Sequence, residues 1–126
     1  MTTVTLQDGL SGYAGTRDTH MSNYSHGTNY GTNGDFFGSQ YSYTPLIRFA
    51  IFDAEGGPVP DGATINSATL YLYKYGNYST DMTLNRVLRD WTETGATWDN
   101  WKSGSAWTTA KADSAGNDIE GTSYAT

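Results

Sequence analysis

Cysteine is absent from the 126 residues, which excludes a disulfide framework, a thiol nucleophile and a thiolate zinc site. Basic residues are scarce: seven Lys and Arg against thirteen Asp and Glu leave a net charge of -6. Tracking a nucleic acid takes many cation–phosphate contacts, so this balance argues against DNA or RNA as a partner. No apolar run approaches the roughly 18 residues of a membrane span, so membrane insertion is not expected. The opening MTTVTLQDG lacks both the basic and the apolar region of a secretory leader. The expectation is either a part of an exported protein or a chain that leaves by another route. His20 and His26 have no third histidine to form a metal set, and neither G-x-S-x-G nor H-E-x-x-H occurs.

What the chain has in abundance is Gly, Tyr, Thr, Ser and Asn, with 15 Gly and 10 Tyr. Tyr and Thr suit a pleated, half-covered surface, and Gly and Asn suit turns. No stretch shows three turns of amphipathic helix. The reading is a single all-β domain over residues 1–126, an antiparallel β-sandwich. Val4 to Leu6 and GTRDTHMS (15–22) are short strands. TPLIRFAIF (44–52) is the clearest one, with Ile47, Phe49 and Ile51 on its core face. INSATLYLYKY (65–75) alternates, which puts Leu70 and Leu72 in the core and Tyr71, Tyr73 and Tyr75 on the outer face. MTLNRVLRDW (82–91) is a further strand, and nothing after Trp107 reads as one.

Three segments, in this order, carry a resemblance. DTHMSNYSHGTNYGTN (18–33) has an Asp-Thr-aromatic strand followed by an Asn-Tyr-Gly loop. LIRFAIFDAEGGPVPDGATINSATLYLY (46–73) has a strand ending at Phe-Asp, a Pro/Gly link and an Ala-Thr-Leu-x-Leu-Tyr strand. LNRVLRDWTETGATWDNW (84–101) has a Trp-x-Glu-x-x-x-Thr-Trp block. Together they resemble the DNRLRE-type β-sandwich domains over residues 18–107. Those domains are similar to carbohydrate-binding modules of alginate-degrading enzymes and to parts of bacterial surface and phage structural proteins. The resemblance implies a jelly-roll-like sandwich outside the cell or on a virion, engaged in binding or adhesion. It also implies more strands after the tryptophan block than the polar residues 108–126 offer. A sheet so shortened is incomplete at its C-terminus, and another copy or another chain is expected to complete it.

The densest aromatic stretch, RVLRDWTETGATWDNWKSGSAW (86–107), holds all four tryptophans. Trp91, Trp98, Thr97 and Glu93 read as a structural corner, with the polar pair bonding turn backbone. Trp101 and Trp107 remain open between sugar platform and packing, because a flat ring stacks on the apolar face of a pyranose. Asp90, Glu93 and Asp99 sit near tryptophans, yet a glycosidase needs two carboxyls in a cleft at a set separation, and a short sandwich offers none. No catalytic residue is expected. The Tyr71, Tyr73, Tyr75 stripe is the binding-face candidate, for sugar or for a protein partner. Asn29, Asn33 and Asp35 weakly resemble a calcium loop without its acidic first position and bidentate Glu; no cofactor is expected beyond that structural calcium. Two functions follow: a binding or structural module of an extracellular or virion assembly, with carbohydrate recognition, or a carbohydrate-binding module of a secreted polysaccharide-degrading enzyme.

Overall fold

The computed structural model describes residues 1–76 and 81–125, and the last residue of the polar tail read above, Thr126, lies outside them. The architecture is all-β, with short strands and three 3-10 turns, at Leu10–Gly12, Asp53–Glu55 and Ala110–Ala112. Strand β1 (Thr16–Ser22) pairs with β2 (Tyr43–Phe49), and β3 (Asn100–Lys102) pairs with β4 (Ser105–Ala106). The Asn23 N–H donates to Ser42 O, and the Ala50 N–H to Gly15 O, so the end of one strand meets the start of the other and the first pair is antiparallel. Gly104, with φ 75, takes the left-handed position of the β3–β4 turn, a conformation that a side chain would strain.

The chain divides into two compact units, Met1–Thr16 with Arg48–Ser79 and Arg17–Ile47 with Thr80–Thr126. The first unit is held mainly by turns. Glu55 accepts from the backbone N–H of Ile51 and Phe52 and from Arg48, and these donors keep its carboxyl below the usual range. The second unit carries the core: Met21, Leu46, Trp91, Ala96, Trp98, Trp107 and Ala112. The expected sandwich phase is therefore corrected. Leu46 is the buried residue of β2, while Ile47, Phe49 and Ile51 are half-buried. Alternation ranks a face by its own hydrophobicity, but burial went to the face on which the tryptophans pack.

A second correction concerns residues 65–75. They form no strand, and Leu70 and Leu72 are 36% and 57% exposed, so neither lies in a core. Leu46→Ala should cost about 2–5 kcal/mol through lost burial and a cavity. Leu70→Ala should stay within about 1 kcal/mol. Urea denaturation of both variants checks the pair, and equal losses would return Leu70 to the core.

The third correction is at the C-terminus. Residues 84–88, inside the expected 82–91 strand, make no continuous strand but pair with residues 118–125: Leu84 with Ala125, and Val87 with Ile119. The N–H groups of Leu88 and Glu120 donate to Asp118 O and Arg86 O. Between these bridges the register jumps, and the Asn85 side-chain amide donates to the carbonyls of Glu120 and Thr122 there. The polar tail, in which no strand was expected, thus pairs with residues 84–88. A backbone ladder depends little on which side chains flank it, so polar composition did not reveal this one.

Candidate functional site

The Asn-Tyr-Gly loop and the tryptophan block, two of the resembling segments, meet in the second unit. Asn29 Nδ2 donates to Glu93 O and Ala96 O at 2.7 Å each, and Asn29 Oδ1 accepts from the Gly31 N–H at 3.0 Å. A Cβ on residue 31 would collide with the Glu93 carbonyl, so only glycine lets the loop lie this close. Glu93 Oε1 in turn accepts from the Asp18 N–H, and Thr97 Oγ1 from the Asn100 N–H. Thr97 bonds the turn that leads into β3, as expected, whereas Glu93 bonds the backbone of β1 instead of a turn. Trp91 and Trp98 are 5% and 7% exposed.

Trp107 lies inside as well. It is 5% exposed, and its indole N–H donates to Thr97 O at 3.0 Å, so no ring face is open to a ligand. Trp101 is half-buried against the core, with the Lys102 ammonium 4.6 Å from its ring centroid. Among the weak calcium candidates, Asn29 is a cross-link between loop and block, and Asn33 Oδ1 accepts from the Asp35 N–H. Among the described residues no three His, Asp or Glu side chains converge as a metal set would.

Tyr71, Tyr73 and Tyr75 are 88%, 92% and 69% exposed, in the first unit. They present three exposed phenol rings at alternate positions of the sequence, each an apolar face with a polar tip. The same unit has a cavity of about 520 Å³ lined by residues 3–5, 10–13 and 56–58. Its one ionisable lining group is Tyr13, whose hydroxyl donates to Ala50 O and whose pKa burial pushes up. The hydroxyl side chains in the cavity lining are those of Thr3, Thr5, Ser11 and Tyr13.

Sequence reasoning missed a second aromatic group, formed by β1, β2 and the segment between them. His20, 1% exposed, stacks on Tyr30 at 4.4 Å, with Phe37 and Tyr43 edge-on at 5.1 and 5.6 Å. Burial lowers its pKa from 6.5, outweighing a backbone hydrogen bond at Asp35 and the charges of Asp35 and Asp18. Its Nδ1 is buried without a hydrogen-bond partner, an arrangement that costs about 1–3 kcal/mol. Tyr24 packs on Tyr43 at 5.9 Å and is 76% exposed. Close spacing of aromatic residues at 20, 24, 30, 37 and 43 was the available signal.

Asp99 pairs with His26 (Nδ1 to Oδ1, 3.2 Å), and Glu93 is engaged with backbone. Among the described residues no helix is long and apolar enough to cross a membrane. No curated protein and no solved structure matches this sequence. Residues 11–120 match carbohydrate-binding module family 96, a span that includes the tryptophan block and Ile119, the partner of Val87. With that span covering most of the chain, the protein belongs to carbohydrate-binding module family 96.

Proposed function

We propose that this chain is a non-catalytic polysaccharide-binding module that works outside the cell, tethering a polysaccharide-degrading enzyme or a surface assembly to its target. The carrying observation is the row of exposed phenols at Tyr71, Tyr73 and Tyr75. Exposed aromatic rings give a large contact at low entropic cost, and a row of them follows an extended polymer better than it fits a compact solute. Family membership supports the ligand class.

The test is retention on a panel of insoluble polysaccharides, with a glycan array on the same sample. At about 1 kcal/mol per stacked ring, the Tyr71→Ala, Tyr73→Ala, Tyr75→Ala triple variant should bind on the order of 100-fold more weakly. Its melting temperature should hold, because these side chains are exposed. Undiminished binding by the triple variant would remove the row from the site, and no retention of wild type on any polysaccharide would remove the function.

A second reading is assembly. Residues 64–74 make no backbone hydrogen bond among the described residues, and an unpaired extended segment is a template for a strand from another copy or another chain. Sedimentation at high micromolar concentration separates the readings: an obligate monomer removes assembly and leaves sugar binding untouched.

A further inference from the structure

Asn33-Gly34 is the sequence's one asparagine–glycine step, and it lies in the connection from β1 to β2. Asn33, Gly34 and Asp35 are all exposed. The Asn33 side chain is nevertheless placed: its Oδ1 accepts from the Asp35 N–H at 3.0 Å, closing an Asx turn. The turn is tied on both sides. The Asn33 N–H donates to Tyr30 O at 3.0 Å, and the Asp35 backbone is hydrogen-bonded to the buried His20. An amide side chain at a loop tip normally keeps its rotamer freedom, whereas this one is bonded to its own backbone.

An asparagine carboxamide carries an electrophilic carbon, Cγ. The backbone nitrogen of the next residue reaches it by closing a five-membered ring, so the two reactants are adjacent by covalent connection alone. The attacking nitrogen has to be uncommitted and open to a proton acceptor. Among the described residues the exposed Gly34 N–H has no hydrogen-bond partner. The residue after the asparagine must not crowd the ring. At position 34 even an added Cβ would meet nothing within 4 Å, and glycine adds the backbone freedom that ring closure needs. Negative charge then develops on Oδ1, where the Asp35 N–H already stands as a donor. Asn117 is the contrast: the following Asp118 is fully buried, and its N–H donates to Ser114 O at 2.8 Å.

We propose that Asn33 is a self-modification site, which deamidates through a cyclic imide while the protein is folded. The Gly34 amide gives its proton to water or hydroxide, and its nitrogen bonds to Asn33 Cγ. The Cγ–Nδ2 bond breaks, and the amide nitrogen leaves as ammonia with a proton taken from solvent. Water then adds to either imide carbonyl and opens the ring, which leaves aspartate or its β-linked isomer at position 33. Nothing is oxidised or reduced, and water is the only co-reactant. Each product sets a new carboxylate two residues from Asp35 and adds one negative charge to a chain already at -6. The β-linked product also inserts a methylene into the main chain between Tyr30 and Phe37, the two rings of this connection that pack on His20.

The experiment incubates the full chain at mildly alkaline pH, below its melting temperature, and maps its peptides by mass spectrometry over days. Exchange of NH2 for OH marks each converted asparagine, and enzymatic methylation of isoaspartate marks the β-linked product. Residue 33 should convert about 10-fold faster than Asn66, an exposed asparagine followed by serine. Gly34→Ala should slow conversion at residue 33 by about 10-fold, since the side chain crowds the ring. Asn33→Gln should abolish it, because the longer side chain must close a larger ring. A parallel sample in guanidinium chloride separates the fold from the dipeptide. With the Asx turn in place, the folded chain should convert at least as fast as the denatured one. Conversion at residue 33 no faster than at Asn66 would overturn the proposal. Slower conversion in the folded than in the denatured chain would do so as well, because the turn would then protect Asn33.

Discussion

Trp107→Ala should lower stability by about 3–5 kcal/mol, the range for truncating a buried tryptophan. Trp107 is 5% exposed and packs in the cluster of Trp91, Trp98, Met21, Leu46, Ala96 and Ala112. The indole also donates to Thr97 O, and a buried carbonyl left without its donor adds to the loss. Trp107→Phe separates the two effects. It keeps most of the apolar body and gives up the N–H, so about half of the loss or less should remain. Far-UV circular dichroism in urea reads both variants without relying on tryptophan emission. Since domains of this size are stable by only about 5–15 kcal/mol, the alanine variant should lie close to the limit of folding. A folded Trp107→Ala of wild-type stability that had lost sugar binding would make Trp107 a ligand platform after all.

Part of the tryptophan block was legible as a corner because Thr97 stands where a turn N–H needs an acceptor and does accept there, but Glu93 accepts from Asp18 of β1, a partner that the block alone does not reveal. Strands β1 and β2 were legible from composition and alternation, which record a preference for extended backbone. What alternation could not supply is the identity of the covering layer. Leu46 and Ile47 are equally apolar, and the tryptophans, distant in sequence, decide between them. For residues 65–75 the pattern was strong, but among the described residues no partner strand meets it, and both of its faces stay exposed. The Tyr24 group escaped notice for the opposite reason. Its residues are divided between β1, β2 and the connection that joins them, and only the fold brings 20, 30, 37 and 43 together.

Asp118 is the clearest case of a residue whose role is wholly tertiary. In the polar stretch SAGNDIEG it looks like a surface acid, but it is fully buried. Oδ1 accepts from the Thr108 N–H at 3.0 Å and from Arg89 Nε at 3.2 Å, and Oδ2 accepts from the Thr109 N–H at 2.9 Å. Burial acts to raise its pKa, but the N–H groups of Thr109 and Thr108 and the Arg89 guanidinium outweigh it and hold the carboxyl below 3.8. Asp118→Asn should therefore cost about 3 kcal/mol at neutral pH, the scale of losing charge-assisted hydrogen bonds at a buried site. The amide offers one acceptor in place of two, and its NH2 must face a backbone N–H. The pH dependence has a definite sign. With the folded pKa depressed, the stabilisation is fully present above the unfolded value of 3.8 and is lost as pH falls through the folded one. A protonated Asp118 carries one carbonyl oxygen and one donor, as Asn does. The stability curves of wild type and Asp118→Asn should accordingly lie apart near pH 7 and draw together below about pH 4. Denaturant midpoints taken from pH 7 to pH 3 measure this gap, and two parallel curves would mean that the carboxylate charge contributes nothing to holding residues 108 and 109 against the C-terminal ladder.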